Sequence, residues 1–415
     1  MKEKQRVSVR QYRPAPWPVR LFNWVGKQKA RLWASVPLRE KALLEAAQRQ
    51  TGLHDFGEEY FREPLNRLLE AIHREARLHA FGQMITRIRL VNLLCNRLRA
   101  QYFYKKHPEI LEQELAPLLV ITGLQRTGTT LLQRLLACDP QNRALYSWEA
   151  LNPAPFLKVS PRSEDPRLKA ARRSEQGLRY LSPDFFAIHP VEHNAPEEEI
   201  LLIDQSFLST VPEATMHVPS FAAWVEKQDQ SPAYQTLAQL LKLLQWQRGG
   251  KRWVLKTPHH LEFLDVLTKL FPSAKIIHTH RDPSVSVASF CSMVFHGRRI
   301  FSNQVDAREV GQHWSRKTAY MVQKALDYRA TTPAQNFLDI QYQDLTQDTW
   351  GQMGRIYQWL GVEWKSDSKA RMQTYHQQAP AHKYGLHQYA LEDFGLNKSD
   401  IDQTFGHYIK TYLPK

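Results

Sequence analysis

The stretch Leu118–Cys138, LLVITGLQRTGTTLLQRLLAC, decides the fold. Its opening residues are apolar without interruption, as in a short strand buried on both faces, and the run ends in a glycine-containing turn. Beyond the turn Leu131, Leu132, Leu135 and Leu136 recur at helical spacing. A strand, a loop and a helix in that order are the unit of a parallel α/β sheet. The loop between them, Gly123–Thr130, has the composition of an anion cradle. Glycines let the backbone come close to an anion, successive N–H groups point inward, and the helix N-terminus adds positive potential. Gly123 and Gly128 stand at the spacing of an NTPase phosphate loop, but Thr129 occupies the place where that motif demands lysine, which disfavours ATP hydrolysis. Arg126 supplies a cation instead and can fork onto two oxygens of a sulfuryl or phosphoryl group. Gln125, Arg126, Thr127, Gly128, Thr129 and Thr130 are therefore the candidate binding residues of this loop.

Downstream, WVLKT (Trp253–Thr257), KIIHTH (Lys275–His280) and FLDIQY (ending at Tyr342) read as further strands, with helices from about Leu261 and Ser284 between them. Arg281 ends one of these strands and Ser289 follows on the next helix, so both can converge on one anion in the crevice where open α/β sheets bind ligands. Upstream, helical patterns fill residues 38–115, the first stopping at Gly52. Residues from Trp148 to Gln247 are mixed and punctuated by proline. The expected architecture is a three-layer α/β, P-loop-like core with a central parallel sheet over residues 116–415, a helical N-terminal region over 38–115, and a helical insertion at about 150–250 that builds an acceptor site.

The chain has 415 residues, and 56 Lys and Arg against 41 Asp and Glu give it a net charge of +15, which calls for an acidic partner. The first 50 residues hold 12 basic and three acidic side chains, a net +9. Within residues 1–37, Phe22, Val25, Leu32, Trp33 and Val36 recur at helical spacing among Lys27, Lys29 and Arg31. This basic amphipathic arm reads either as a peripheral membrane contact or as a segment packed on its own domain or on a second subunit. Cys95, Cys138 and Cys291 are the three cysteines, too few and too scattered for a disulfide framework or a zinc knuckle. With no stretch of about 18 to 20 apolar residues and no apolar signal core in MKEKQRVSVRQYR, a cytoplasmic location is expected, with the membrane surface as the alternative.

These motifs together resemble the sulfotransferases that use 3′-phosphoadenosine-5′-phosphosulfate (PAPS). QRTGTTLL is similar to that family's 5′-phosphosulfate loop in its arginine version, and Arg281 with Ser289 to its 3′-phosphate clamp. LKTPHHLEFLDVL resembles the lysine-bearing strand end and IQYQDLTQDTWGQMGRIYQWLG the later segment whose tyrosine contacts adenine, which places Lys256 and Tyr342. RQTGLHDFGEEYFREPL, SWEALNP, HNAPEEEI and KYGLHQYALEDFGL are similar to the bacterial-type branch, so the resemblance runs from about Thr51 to Tyr412. It implies sulfuryl transfer from PAPS to a hydroxyl or amine of a small or lipid-like acceptor, leaving 3′,5′-ADP. Arg126 and Lys256 are the cations for that transfer. A sulfuryl group bears less charge than a terminal phosphoryl group, so no metal is required.

For the general base two residues compete. Glu149 in SWEALNP follows the phosphate-loop helix, and His260 in KTPHHL either acts as the base or positions the acceptor. The C-terminal tail offers Lys383 or Tyr384 near the 3′-phosphate. His278 and His280 share a strand face, with Asp282 as the one nearby third ligand, and packing is the expected role. His189, His193 and Glu197 to Glu199 read as a solvated loop near the acceptor entrance. The competing functions are a small-molecule kinase using ATP and Mg²⁺, and a non-catalytic nucleotide-binding scaffold at a membrane surface; nucleic acid is not an expected partner.

Overall fold

A computed structural model describes residues 6–28, 38–157, 164–378 and 386–414. Among them run seven strands: β1 (Arg6–Val7), β2 (Leu118–Gly123), β3 (Asn142–Ala144), β4 (Arg252–Lys256), β5 (Lys275–His280), β6 (Phe337–Gln341) and β7 (Leu386–His387). Five form one parallel sheet in the order β3-β4-β2-β5-β6. β2 is central, and Leu119, Val120 and Ile121 have no exposed surface, which is why its sequence is apolar at consecutive positions rather than alternating. Helices cover both faces. One side packs Leu132, Leu135 and Leu136 of helix Thr129–Leu136 against Ile121, Val254 and Ile277; the other packs Val120, Leu255 and Ile276 against helix Ser231–Gln247 and Leu264–Leu270. This is the expected three-layer α/β core, with one edge strand, β3, too short for the sequence to announce.

The N-terminal helices Glu40–Thr51, Arg62–Glu75 and Ala80–Lys106 bury Leu43, Leu65, Leu68, Leu90 and Leu94 together with Phe207 and Phe221 of the insertion. Gly52 ends the first of them at φ +70°, a left-handed cap that favours glycine. In the insertion the prolines begin helices rather than break them. Pro166, Pro183 and Pro219 each stand first in a helix, where the missing N–H has no partner to lose and the fixed φ is already helical.

The N-terminal arm packs on its own chain. β1 pairs in parallel with β7, Val7 beside His387, and Gln388 N–H donates to the Val7 carbonyl at 2.9 Å. Arg10 reaches Asp393 at 2.7 Å and the Arg13 N–H donates to Asp184 at 2.6 Å. The helix that follows is Trp17–Gln28, with Val19 and Gly26 facing the protein. Phe22 turns inward beside Phe81, whereas Val25 faces out. Leu32, Trp33 and Val36, with Lys29 and Arg31, lie outside the described residues.

At the β5–β6 edge His278 and His280 do find a third acidic neighbour, but it is Asp339 of β6 and not Asp282. Asp282 caps helix Pro283–Arg298 by accepting the Ser284 N–H at 2.8 Å. Arg329 donates to both Asp339 oxygens at 2.6 and 2.9 Å and approaches His278 Nδ1 at 3.0 Å, while His280 meets Asp339 at 2.7 Å. A guanidinium already supplies the positive charge that a metal would bring. Burial alone would raise the Asp339 pKa, yet the bonds from Arg329 and His280 outweigh it and hold the carboxyl well below the usual carboxylate range. A depressed pKa contributes stability that is present above the unfolded value of about 4 and is lost as pH falls below it. Asp339→Asn is expected to lower unfolding free energy at neutral pH by about 1–2 kcal/mol, discounted for partial exposure, and the gap to the parent should close in urea melts run progressively below about pH 4.

Candidate active site

The carboxyl ends of β4, β2 and β5 lie side by side, so three loops meet at one edge of the sheet. The central loop is shaped by its backbone. A Cβ on Gly123 would come within 2.3 Å of Thr279 Oγ1 and 2.4 Å of its carbonyl oxygen. Gly128, at φ +86°, sits against Leu345 and Tyr342, where a Cβ would approach to 2.8 and 3.2 Å. Between them Arg126 adopts φ +70°, a left-handed conformation costing about 1–2 kcal/mol for a residue with a Cβ. Its side chain stays solvent-accessible, and Nη1 donates to the Ile188 carbonyl at 3.3 Å. Thr127 turns inward. Its hydroxyl donates to the Leu124 carbonyl at 2.7 Å and lies 2.6 Å from that of Thr279, so only its backbone can face a ligand. Thr129 and Thr130 open the helix, Thr130 exposed, and Gln125 is half-buried beside Arg126.

Lys256 ends β4, and its Nζ is bonded to Glu198. The Glu198 carboxylate also accepts from Thr257 Oγ1 at 3.4 Å. Its neighbour Glu199 is fully buried, and one oxygen accepts the Lys256 N–H at 2.6 Å while the other meets His260 Nε2 at 2.8 Å. His260 Nδ1 lies 2.7 Å from the Tyr234 hydroxyl. Both ring nitrogens of His260 are therefore engaged inside the protein, where the ring joins Glu199 to Tyr234. His189 lies among the reactive groups. Burial lowers its pKa, Glu197 and Glu198 oppose the shift, and Lys256 and Arg126 add to it.

Arg281 leaves β5, donates to the Arg126 carbonyl at 2.8 Å and stacks over the Tyr342 ring at 4.0 Å. Ser289 has no exposed surface, and its Oγ has no hydrogen-bond partner. One turn later Ser292 Oγ meets His387 Nε2 of β7 at 2.8 Å. Burial drives the His387 pKa down to about 3, with Arg126 contributing, and Tyr389 acts electrostatically on Arg126 in turn. The C-terminal tail thus packs on helix Pro283–Arg298, within electrostatic reach of Arg126. Lys383 and Tyr384 lie outside the described residues.

A model described as "Sulfotransferase family" matches residues 117–366, which include this loop, Lys256, Arg281, Ser289 and Tyr342. The chain belongs to the sulfotransferase family. It is 26% identical over 306 residues to omega-hydroxy-beta-dihydromenaquinone-9 sulfotransferase Stf3 of Mycobacterium bovis and of Mycobacterium tuberculosis, covering 71% of this chain and 75% of those relatives. The crystal structure of sulfotransferase STF1 from Mycobacterium tuberculosis matches with a TM-score of 0.79 at 30% identity, over 89% of this chain and 98% of its own. Sulfotransferase STF9 from Mycobacterium avium shares the fold at a TM-score of 0.81 and 24% identity, over 91% and 98%. This sulfotransferase is of the bacterial, PAPS-dependent type, an enzyme and neither a kinase nor a bare scaffold.

In the sulfotransferase Glu149 is tied into the protein. Its carboxylate is bidentate to Arg143 at 2.6 and 2.9 Å, accepts the Tyr146 N–H at 3.0 Å and is approached by Arg248 at 3.2 Å. Glu149 and Arg143 are both buried. The carboxylate caps its helix and pins β3 through Arg143. Sequence reasoning placed His189 and Glu198 in a solvated loop near the acceptor entrance without giving either a role in the site, and it did not single out His387 or Tyr389. Glu149→Gln should destabilise the fold by roughly 3 kcal/mol, because Arg143 is left buried with a weakened partner, while turnover per folded molecule stays near that of the parent. Paired melting and steady-state rates check this.

Proposed function

We propose that this sulfotransferase moves the sulfuryl group of PAPS onto the hydroxyl of a small, lipid-like acceptor, with Arg126 and Lys256 on the transferring group and Arg281 and Ser289 on the 3′-phosphate. The observation that carries this assignment is the convergence of three cations and an unpartnered buried hydroxyl at the ends of three adjacent strands. Two features support the fit to the cosubstrate: the Ser289 hydroxyl is buried with no partner of its own, and Gly123 and Gly128 hold the loop at positive φ between strand and helix. Thr129 and Thr130 hydroxyls, with the N–H groups of Gln125 to Gly128, complete the 5′ side, and Tyr342 takes the adenine side.

Glu198 is the group we assign as base. It is the carboxylate bonded to Lys256, so a lysine that swings onto the oxygen bridging phosphorus and sulfur frees the carboxylate toward the acceptor. Glu198 then takes the hydroxyl proton as the acceptor oxygen bonds to sulfur and the sulfur–oxygen bond to the 5′-phosphate breaks, releasing 3′,5′-ADP. Arg126 and Lys256 stabilise charge on the equatorial and leaving oxygens, which removes any need for a metal. His189, held neutral by burial, orients the acceptor hydroxyl. Helix Pro183–Ile188, sequence PDFFAI, ends in the carbonyl that Arg126 touches. The name of the Stf3 relatives, taken from an ω-hydroxylated dihydromenaquinone, supports the same acceptor class.

Two outcomes are expected. 3′,5′-ADP should raise the melting temperature while ATP with Mg²⁺ does not, because ATP lacks the 3′-phosphate that Arg281 and Ser289 read; equal shifts would remove that assignment. Arg126→Ala and Glu198→Gln should each lower kcat by about 100-fold or more while leaving the 3′,5′-ADP shift in place. Retention of near-parent kcat in Glu198→Gln would move the base to His189, which His189→Ala then tests.

A further inference from the structure

Helix Trp17–Gln28 presents an apolar stripe on the side opposite its packed face. Val19, Phe22, Asn23 and Gly26 face the protein, and Asn23 Oδ1 accepts the Phe81 N–H at 2.9 Å. Trp17, Leu21, Trp24 and Val25, spaced four, three and one residues apart, lie on the other face at 67%, 51%, 61% and 36% exposure. Among the described residues no other element exposes two tryptophans. Single exposed apolar residues are ordinary, whereas four aligned on one helix face mark an interaction surface.

A second observation indicates what covers the stripe. Arg20 and Lys27 sit along one flank of it and line a groove of about 1090 Å³ between this helix and the rest of the protein. Arg39, Arg77 and Arg299 line the same groove, and none of its lining residues is a carboxylate. Arg77 reaches Glu309 at 3.4 Å, and Arg299 stacks over Tyr12 at 3.6 Å, so the groove keeps a net excess of cations. Tryptophan and leucine beside a band of arginine and lysine is the pattern of a helix lying in the plane of an anionic bilayer, apolar side chains below the headgroups and cations among the phosphates.

We propose that helix Trp17–Gln28, with the cationic groove beside it, seats this enzyme on an anionic lipid bilayer. The surface lies on the arm that continues from β1, which pairs with β7 beside helix Pro283–Arg298. The inference concerns where the enzyme works and stands independently of which acceptor it sulfates.

The test uses the full chain and phosphatidylcholine vesicles with and without phosphatidylglycerol, read by flotation and tryptophan emission. The parent should float with the anionic vesicles, shift its emission to the blue and detach as salt is raised. Trp17→Ala combined with Trp24→Ala should lower partitioning by about tenfold or more, and Arg20→Glu with Lys27→Glu should abolish the preference for phosphatidylglycerol. The thermal shift with 3′,5′-ADP should be unchanged in both variants, which separates a failed membrane contact from a failed nucleotide site. Absence of binding by the parent, or equal binding by the tryptophan double variant, overturns the proposal. So does a parent that is dimeric in solution, ignores vesicles and becomes monomeric when the two tryptophans are removed, since the stripe is then a contact between copies.

Discussion

Glu199 is a carboxylate with no exposed surface, and the position of the reactive groups depends on it. A buried carboxylate must be matched on both oxygens, and here one meets the Lys256 N–H and the other His260, itself held by Tyr234. The three elements so joined are the end of β4, the turn Pro258–Glu262 and helix Ser231–Gln247. The consequence falls on the neighbouring residue. With Glu199 fixed from inside, Glu198 is carried to the buried Lys256 side chain and stays partly exposed beside it. His260 looked like chemistry in the sequence because histidine beside a lysine-bearing strand end so often is; in the structure it joins Glu199 to Tyr234.

The other half of the site works by withholding partners. Arg126 and Arg281 repel one another, and the contact between them runs from the Arg281 guanidinium to the Arg126 carbonyl rather than to a carboxylate. Ser289 is buried with an unmatched hydroxyl, a state that costs about 1–3 kcal/mol until an acceptor arrives. Arg126 is further held at positive φ. Strain and repulsion thus meet at Arg126, with an unmatched donor on the helix that follows β5, and the proposed binding of a ligand with two phosphate-type groups would relieve the last two together. Donors fixed in advance do not have to reorganise when charge develops, which is where such a site gains its rate.

The sheet and the phosphate loop were legible because their causes are local. An uninterrupted apolar run specifies a doubly buried strand, and glycines between a strand and a helix mark the turn, although the contacts that require them come from Thr279, Tyr342 and Leu345 far along the chain. What escaped reading was tertiary. Glu149 and Arg143 stand six residues apart, and nothing in that spacing says that they meet as a bidentate pair, since Arg143 belongs to a strand of three residues that sequence periodicity cannot resolve. The insertion looked broken because proline was read as an interruption, whereas at the first position of a helix it is a start. His387 and Tyr389 reach Arg126 only because β7 is added to β1, a pairing between the two ends of the chain that no local pattern encodes.

That last pairing bears on how catalysis and location are connected. The matched family region, residues 117–366, contains the sheet, the loop and the clamp but neither β1 nor β7. Yet β7 delivers His387 to Ser292, one helical turn beyond Ser289, and its backbone is held by Val7. β7 is thus held by a segment that, like itself, lies outside the matched core, and that segment continues directly into the helix bearing Trp17 and Trp24. A parallel pair of only two residues on each side is a weak sheet, so its order depends on neighbours: Arg10 on Asp393, the Arg13 backbone on Asp184, and Tyr12 beneath Arg299. Any force that steadies the arm therefore steadies β7, and a displacement of β7 is felt along the arm through the strand pair and through the contacts of Arg10, Arg13 and Tyr12 together.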